Sequence, residues 1–471
     1  PKYTDENGNR QQGALIIMNT KGEILGVMGK IGEKTQSRVY NIATDGVRQV
    51  GSSMKPIGVY GPAIEMNAIH YSSLFEDAPI AIRINGRLTN YPVNYWRTYG
   101  DPITIQYAVE QSYNTVAVRV LRMISFEYSY AYVTNLLGVT SLDPVYDKTY
   151  SSRALGGSRT GISLEELTAA YVPFSNGGMY YTPHTYTKVT KADGSVILDK
   201  EANITSIRAF TEQSAMIRNR LLQTVVSRGS GNAAKYGSMP LAGKTGTNSD
   251  QKGVFFAGMT GWYCGTVWIG HDNYKALSSK ATGGNYAAPL WQAIMERIHT
   301  AKALDDKDII QKSAEELGLV RVTTCGVSGM LATNACASDV KGHNIVTDYW
   351  APESVPTEYC NMHQQLSLCA DTGLLATEFC PNVVSQSAVI IPIGHPLYDY
   401  IDQYSSVMQE YLGEFAALKL TEDDAYNEQL IAACTCTAHS AVWQQEQELY
   451  QSSDVVGEAR ALLEQAYSML T

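Results

Sequence analysis

The sequence predicts an α/β fold in which a central antiparallel β-sheet is flanked by helices, followed by a small cysteine-rich region with a helical tail. Two apolar runs, at 13–20 and 23–29, are joined by a short Lys21–Gly22 turn, which is typical of a hairpin. Apolar residues then recur at helical spacing, and strand-like runs return from about residue 240. Strands at both ends with helices between them favour a single sheet covered on both faces.

The first predicted helix follows the stretch GSSMKP at 51–56. Its apolar positions have helical spacing: Met54, Ile57, Tyr60 and Ile64. Pro56 falls in the first turn, where a missing N–H is tolerated. Segments 104–137 and 163–175 also have helical patterns, and another helix is predicted near 288–300.

The chain is predicted to have two parts. Residues 1–303 would form the α/β domain, and residues 304–471 a cysteine-rich extension. The charged, helix-prone segment 301–320 is interpreted as the linker between them. A helical pattern over 456–470 predicts the tail. The polar opening PKYTDENGNRQQ resembles a linker, so we expect the chain to be part of a longer protein.

Seven of the eight cysteines lie beyond residue 320, whereas Cys264 lies in an apolar run and is predicted to be buried. The stretch from Cys325 to Cys336 matches that from Cys369 to Cys380, each being C-x10-C around a glycine turn. We expect two loops, each closed by its own disulfide worth about 3 kcal/mol. This clustering favours an oxidising, extracytoplasmic setting.

A second loose repeat follows, in which Cys360 and Cys436 each precede a histidine by three residues, His363 and His439. Four such ligands could bind zinc. We favour a disulfide from Cys360 to Cys434 or Cys436, and predict neither a metal site nor a cofactor.

Composition excludes some classes of function. The net charge of −10 and the isoelectric point near 5.4 argue against a nucleic-acid partner. No apolar run approaches the ~18 residues of a membrane helix.

Three short motifs indicate chemistry only in combination. Ser-x-x-Lys occurs at Ser52–Lys55 and again at Ser249–Lys252, so an isolated match is weak. Ser-x-Asn likewise occurs at Ser112–Asn114 and at Ser230–Asn232. Lys244–Thr245–Gly246–Thr247 contains the single Lys-Thr-Gly of the chain. Together, in this order, they form the signature of penicillin-recognising serine acyltransferases.

The chemistry expected of these residues is consistent with that signature. Ser52 would be the nucleophile, and Lys55, one helical turn along, the base that accepts its proton. Burial and the charge of Lys244 would lower the pKa of Lys55. Ser112 would pass a proton to the leaving amine, and Asn114 would hold the substrate amide.

The strand that carries the third motif would bind the rest of the substrate. Lys244, Thr245, Gly246 and Thr247 would pair with a peptide in β fashion and receive its carboxylate. The N–H groups of Ser52 and Thr247 would form the oxyanion hole.

Over about residues 13–300, the chain resembles the transpeptidase domain of class A penicillin-binding proteins. The resemblance extends beyond the motifs to GALIIMNTKGEILGVMG, QVGSSMKPIGVY, ITIQYAVEQSYNTVAV, ALGGSRTGISLEELTAAYVPFSNGGMYYTPH, GKTGTNSDQKGVFFAGMTGWYCGTVWIG and GGNYAAPLWQAIM. CADTGLLATEFCP and APESVPTEYCNMH resemble segments that follow the domain in Gram-positive members. The implied fold is that shared by serine β-lactamases and penicillin-binding transpeptidases.

The resemblance implies a D,D-transpeptidase. Ser52 would attack the D-alanyl-D-alanine end of a peptidoglycan stem peptide, D-alanine would leave, and an amine of a second stem would take the acyl group. β-Lactams would acylate the same serine. The implied location is the extracytoplasmic face of the bacterial membrane. The membrane anchor and glycosyltransferase domain of class A members are not matched in this chain.

Three related activities share the same motifs. A serine β-lactamase of class A needs a carboxylate that activates the deacylating water, and no Glu-x-x-Leu-Asn element lies between Asn114 and Lys244. Glu165 and Glu166 lie in LEELTAAY, interpreted as a helix that faces a core. A D,D-carboxypeptidase, in which water replaces the acceptor amine, and a non-enzymatic penicillin sensor are also compatible with the motifs.

Overall fold

The computed structural model describes residues 11–84, 86–100, 102–200, 202–271, 273–341, 345–394, 398, 401–402, 409, 413–452, 462 and 465. They form two compact units. The first comprises residues up to Thr324 together with Val346–Thr357, and the second comprises Cys325–Ile345 together with residues from Glu358 onward.

A five-stranded antiparallel sheet forms the centre of the first unit. Its strands come from both ends of the unit: β1 Gln11–Asn19, β2 Ile24–Met28, β11 Ala242–Thr247, β12 Gly253–Met259 and β13 Tyr263–His271. Their order across the sheet is β11-β12-β13-β1-β2. In the register of β1 with β13, Ile16 lies opposite Thr266. The predicted hairpin and central antiparallel sheet are therefore confirmed.

Shorter strands form two-stranded pairs around this sheet. They are β3 Leu74–Phe75, β4 Ile80–Ile84, β5 Arg87–Tyr91, β6 Ile103–Thr104, β7 Met179–Tyr181, β8 Lys188–Thr190, β9 Val196–Asp199, β10 Ser206–Arg208, β14 Val320–Cys325 and β15 Ile345–Trp350.

The described helices of the first unit lie mainly between β2 and β11. They are α1 Gly61–Glu65, α2 Ile105–Gln111, α3 Asn114–Ile124, α4 Phe126–Ala131, α5 Tyr150–Leu155, α6 Leu164–Tyr171, α7 Glu212–Ser227 and α8 Ala288–Ala301. The predicted helix after GSSMKP begins as a 3-10 turn, Gly51–Met54, and continues through a π-type turn, Pro56–Tyr60, into α1. Its four predicted apolar positions are all buried.

Consecutive residues of a strand point to opposite faces of the sheet. In this sheet both faces carry apolar side chains, and helices pack on both. Ile16 and Phe255 belong to one hydrophobic core, and their neighbours Ile17 and Phe256 belong to another. On the first face, Thr168 of α6 contacts Thr266 through their hydroxyls at 2.8 Å. On the second, Trp291 of α8 donates its indole N–H to Gly265 O at 3.0 Å.

The segment predicted as a linker packs within the first unit. Ile309 and Leu317 are buried in its main core. Gln213 of α7 donates to Leu317 O at 2.9 Å. The domain boundary after residue 303 stays a prediction. The first compact unit continues to Thr324.

The second unit is smaller. It contains α9 Asn334–Ala337, β16 His363–Cys369, β17 Val383–Val389, α10 Asp424–Ala433 and α11 Ala441–Ser452. β16 and β17 form an antiparallel pair. The predicted helical tail at 456–470 lies outside the described residues, apart from isolated positions. Nowhere in the described ranges is a helix both long and apolar enough to cross a bilayer.

Helix α3 offers a test of the core. Replacing the fully buried Leu121 by alanine removes apolar contacts and leaves a cavity, so we expect Leu121→Ala to lower the free energy of unfolding by about 2–5 kcal/mol. Met123 on the same helix is 55% exposed, and Met123→Ala should change it by less than about 0.5 kcal/mol. Denaturant unfolding of both variants measures the difference, and equal costs would contradict the assigned face of α3.

Candidate active site

Ser52 lies on the tight turn that opens the first helix, and it is only partly buried. Gly51, just before it, has a φ of +59°, and a Cβ atom built there would lie 2.3 Å from Thr247 O. Only glycine tolerates both the left-handed backbone and this contact. The Ser52 turn therefore lies directly against the end of β11.

The third motif meets the same turn from the other side. A Cβ atom on Gly246 would lie 2.3 Å from Val50 O and 2.4 Å from Ser53 Oγ. The Lys-Thr-Gly strand and the serine turn thus pack backbone to backbone, at a distance that a side chain would prevent. The structure brings the first and third predicted motifs together.

Lys55 connects the first motif with the second. Its side chain is fully buried, and Nζ lies within hydrogen-bonding distance of three oxygens: Ser112 O at 2.6 Å, Tyr113 O at 2.9 Å and Asn114 Oδ1 at 2.8 Å. The ammonium form can donate to all three, whereas the free amine can donate to only two of them. Ser112 Oγ lies 3.3 Å from the same nitrogen. The loop between α2 and α3 therefore encloses the amino group.

The environment of Lys55 disfavours its charge. Burial, and then the nearby charge of Lys244, lower the pKa of Lys55 well below its usual value. Burial also lowers the pKa of Lys244, to about 7. A lysine with a depressed pKa spends more time as the free amine at neutral pH, which is the form that can accept a proton.

Lys244 is fully buried on β11, and its Nζ reaches Thr245 O and Thr245 Oγ1 at 3.4 Å each. These contacts are long for hydrogen bonds, so the ammonium retains capacity for a further anionic partner. Thr247 Oγ1 accepts a hydrogen bond from Gly283 N at 3.1 Å, which ties the end of β11 to the turn before α8.

Ser112 ends α2 in the left-handed conformation, with φ 66° and ψ 43°. This backbone is uncommon for a residue other than glycine and is often found at functional sites, where the surroundings stabilise it. The two main-chain oxygens that Lys55 binds, those of Ser112 and Tyr113, point inward at this corner.

A buried polar network beneath the second motif was not predicted from the sequence. Asn94 Oδ1 accepts from Asn114 N at 3.0 Å, and Asn94 Nδ2 donates to Asp77 Oδ1 at 2.6 Å. The Asp77 carboxylate also accepts from Thr115 Oγ1 at 2.5 Å and Gly100 N at 2.8 Å. Asp77 and Asn94 are distant in sequence from every motif, so no local pattern identifies them.

A second unpredicted contact involves Ser230. Its hydroxyl lies 2.9 Å from Thr245 Oγ1. Arg228 holds this loop against α2 through two bonds to Glu110 Oε1, at 2.8 and 2.7 Å. Ser230 belongs to the second Ser-x-Asn match, which gave no separate functional signal. In the second Ser-x-x-Lys match, Ser249–Lys252, the serine is exposed.

The two glutamates considered as bases lie on α6, as predicted. Glu166 closes a capping box with Ser163, and its carboxylate accepts from Thr140 N at 2.8 Å and Ser141 Oγ at 2.7 Å. Burial acts to raise the pKa of Glu166, but these hydrogen bonds outweigh it and lower the pKa. Burial, followed by the charges of Glu166 and Asp45, raises the pKa of Glu165.

The cysteines of the second unit differ from the prediction. All eight cysteines of the chain are free, so the predicted disulfides are wrong. Six of them instead form two groups, each of three cysteines and one histidine: Cys325, Cys336, Cys360 and His363, and Cys369, Cys380, Cys436 and His439. Of the two partners suggested for Cys360, Cys436 lies in the other group and Cys434 in neither. The inference of an oxidising compartment from disulfides loses its basis.

The network below the second motif offers a test. Asp77→Ala removes the carboxylate that accepts from two buried donors, Asn94 Nδ2 and Thr115 Oγ1, and from Gly100 N, so we expect the free energy of unfolding to fall by about 1–3 kcal/mol or more. Asp193→Ala, at an exposed hairpin tip, should change it by less than about 0.5 kcal/mol. Equal denaturation midpoints for the two variants would show that the network contributes no stability.

Comparison with known proteins is consistent with this geometry. Residues 13–296 match the family model described as the penicillin-binding protein transpeptidase domain, and residues 316–365 match that of the penicillin-binding protein 1A C-terminal domain. Penicillin-binding protein 1A of Clostridium perfringens is 31% identical over 79% of this chain. The chain spans 44% of that relative's length.

Solved structures show the same fold. Penicillin-binding protein 1A from Haemophilus influenzae superposes with a TM-score of 0.62 at 20% identity, covering 76% of this chain and 56% of that one. PonA1 from Mycobacterium tuberculosis, in complex with penicillin V, gives 0.52 at 19% identity, covering 63% and 80%. The extent of the family match, together with the three motifs that meet around Lys55, shows that this chain belongs to the penicillin-binding protein transpeptidase family.

Proposed function

We infer that the chain is a serine D,D-transpeptidase that crosslinks peptidoglycan stem peptides through an acyl-enzyme on Ser52. The observation that supports this most directly is the position of Lys55. This buried lysine shares a helix with Ser52, binds the Ser112–Asn114 corner, and has its pKa lowered by burial and by Lys244. Membership of the family supports a role in peptidoglycan synthesis.

Acylation begins when Ser52 Oγ attacks the carbonyl carbon of the penultimate D-alanine and the Lys55 amine takes its proton. The oxygen that becomes negative accepts hydrogen bonds from the N–H groups of Ser52 and Thr247; Gly51, next to Ser52, packs against the main chain of Thr247. Ser112, within 3.3 Å of Lys55, transfers a proton to the departing D-alanine nitrogen. An amine of a second stem peptide then attacks the ester and releases Ser52.

Substrate binding is assigned to β11. It is the terminal strand of the sheet and pairs with β12 along one edge, so an extended peptide can add to the other edge. The Lys244 ammonium suits the terminal carboxylate, beside the hydroxyls of Thr245 and Thr247. Asn114 Oδ1 already accepts from Lys55, and its Nδ2 donates to Val93 O at 2.8 Å, which holds the amide in one orientation.

The acyl-enzyme should be long-lived in water. Glu166 is engaged in bonds to Thr140, Ser141 and Ser163, and so is not available to activate a hydrolytic water. A missing general base slows such a step by about 10²–10⁴-fold. This argues against a β-lactamase and favours a protein that β-lactams inhibit, as the penicillin V complex of the related PonA1 also suggests.

The reaction is placed at the extracytoplasmic face of the bacterial membrane, where peptidoglycan is assembled. The partners proposed are a D-Ala-D-Ala donor stem, an amine acceptor stem and β-lactam antibiotics.

The nucleophile can be tested by intact-protein mass. After brief exposure to penicillin G, the native chain should gain one drug equivalent, and Ser52→Ala should gain none because the attacking oxygen is absent. Ser249→Ala, the serine of the other Ser-x-x-Lys match, should be acylated like the native chain. Loss of the adduct in Ser249→Ala, or its persistence in Ser52→Ala, would refute the assignment.

The reaction class needs a second readout on the same proteins. With a D-Ala-D-Ala stem peptide and an added amine acceptor, the native chain should release D-alanine and form the crosslinked product. D-alanine release with hydrolysed peptide alone would identify a carboxypeptidase. Penicillin consumed without an adduct would identify a β-lactamase, and an adduct without turnover of any peptide would identify a sensor.

The pH dependence of penicillin acylation should separate the two lysines. Acylation needs unprotonated Lys55, so its rate should rise with pH on the acid side. It also needs protonated Lys244 to hold the drug carboxylate, so the rate should fall as pH rises through about 7. In Lys244→Arg the guanidinium stays charged, and the alkaline fall should disappear up to about pH 10.

The exposed Lys252→Arg serves as the matched control and should keep the alkaline limb. An unchanged alkaline limb in Lys244→Arg would show that another group titrates there. Rates are measured by stopped-flow with a fluorescent penicillin between pH 5 and about pH 10.

A further inference from the structure

The two cysteine–histidine groups of the second unit are built on one plan. Each takes two cysteines from a C-x10-C segment and a cysteine and a histidine from a C-x-x-H segment. In each group the four ligand atoms lie within 4.8 Å of one another, and seven of the eight residues are buried while Cys380 is half-buried. The same set of cysteine and histidine side chains occurs twice in one unit, which indicates that the two groups have the same function.

The backbone around the groups repeats as well. Cys325 N donates to Met330 O at 2.7 Å, and Cys369 N donates to Leu374 O at 2.8 Å. The turn in each case contains a glycine with positive φ, Gly329 at 76° and Gly373 at 74°. Both C-x10-C segments therefore fold into the same knuckle, with the first cysteine at its start.

The same main-chain bond brings each C-x-x-H segment to its knuckle. Cys360 N donates to Leu331 O, and Cys436 N donates to Leu375 O, both at 2.8 Å. Leu375 and Cys436 are much further apart in sequence than Leu331 and Cys360. The same hydrogen bond therefore forms whatever the length of the chain between the two segments.

Backbone N–H groups are aimed at the sulfurs. Cys325 Sγ accepts from Val327 N at 3.3 Å and Ser328 N at 3.2 Å. Thr333 N lies 3.3 Å from Cys336 Sγ, and Thr377 N lies 3.3 Å from Cys380 Sγ. Hydrogen bonds of this kind stabilise thiolates, the form in which cysteine binds a metal.

Both histidines turn the same nitrogen toward the sulfurs. His363 Nδ1 lies 3.3 Å from Cys325 Sγ, and His439 Nδ1 lies 3.3 Å from Cys369 Sγ. The opposite nitrogen, Nε2, faces a carboxylate: Asp339 Oδ2 at 3.2 Å for His363 and Asp371 Oδ2 at 3.4 Å for His439. A carboxylate on Nε2–H leaves the lone pair on Nδ1, which is the usual arrangement around a metal-bound histidine.

The separations fit one tetrahedral ion. Zn–S bonds near 2.3 Å and Zn–N bonds near 2.1 Å place sulfur and nitrogen about 3.6 Å apart, and the observed S···N distances are 3.3–3.5 Å. Three cysteines and one histidine cannot be satisfied by disulfides, which would leave one thiol over. Soft thiolates with one imidazole in tetrahedral array favour zinc over the hard divalent cations.

We propose that the second unit binds two Zn²⁺ ions, one at Cys325, Cys336, Cys360 and His363 and the other at Cys369, Cys380, Cys436 and His439. Four protein ligands close each coordination shell, so both ions are structural. β16 begins at His363 and ends at Cys369, which makes it the direct connection between the two sites. Among the described residues, one apolar cluster of this unit comprises Leu368, Ala388 and Phe415 with half-buried neighbours, and metal ions would add crosslinks to it.

The test is metal content of the purified full chain by inductively coupled plasma mass spectrometry after gel filtration in metal-free buffer. The native chain should carry two zinc ions per chain. Cys336→Ser and Cys380→Ser should each carry one, and the double variant none. Cys434→Ser is the matched control, because Cys434 is two residues from a ligand yet outside both groups, and it should retain two.

A second measurement uses the native chain, so that it does not depend on the folding of any variant. Titration with an organomercurial thiol reagent in the presence of a zinc indicator should release two zinc ions. Refolding with Co²⁺ should give the visible bands of tetrahedral cobalt with thiolate ligands.

Three outcomes would contradict the proposal. Zinc-free protein whose mass shows the loss of thiol hydrogens would establish disulfides and overturn it. Bound iron with visible colour would overturn the choice of metal. Two zinc ions retained in Cys336→Ser or Cys380→Ser would overturn the ligand assignment.

Discussion

The structure of the first unit depends on how a single buried amine, Lys55 Nζ, is accommodated. A buried lysine is tolerated only when its N–H groups find acceptors, and here three oxygens from Ser112, Tyr113 and Asn114 supply them at 2.6–2.9 Å. Two of these are main-chain carbonyls, so the α2–α3 corner must adopt the conformation that points them inward. The left-handed Ser112 is the local consequence.

That corner is in turn supported from below. Asp77 accepts three hydrogen bonds, and Asn94 connects it to the main chain of Asn114. On the opposite side, Gly51 and Gly246 let the serine turn and β11 approach at backbone contact distance. The groups proposed to react are thus positioned by main-chain packing and buried hydrogen bonds, which limits their motion relative to one another.

Different interactions stabilise the two units. The first buries large apolar clusters on both faces of its sheet. The second has a small apolar cluster and places most of its cysteines in two compact groups with histidine. Ligands joined through a metal ion would add crosslinks to the apolar contacts of such a unit.

The sequence by itself determined the fold class and indicated the residues proposed for the active site. The hairpin, the helical spacing of Met54, Ile57, Tyr60 and Ile64, and the three motifs are local patterns that need no tertiary information. Tertiary structure decided what surrounds them. Asp77 and Asn94 come from loops without any motif, and Ser230 comes from a duplicate Ser-x-Asn match that gave no separate signal. All three contact their partners only after the chain folds. The sequence also could not show how the cysteines group together, because the C-x10-C spacing fits both a disulfide loop and two ligands of one metal ion. That distinction depends on whether a third sulfur and a histidine nitrogen reach the same point, and only the folded chain brings Cys360 and His363 to Cys325 and Cys336.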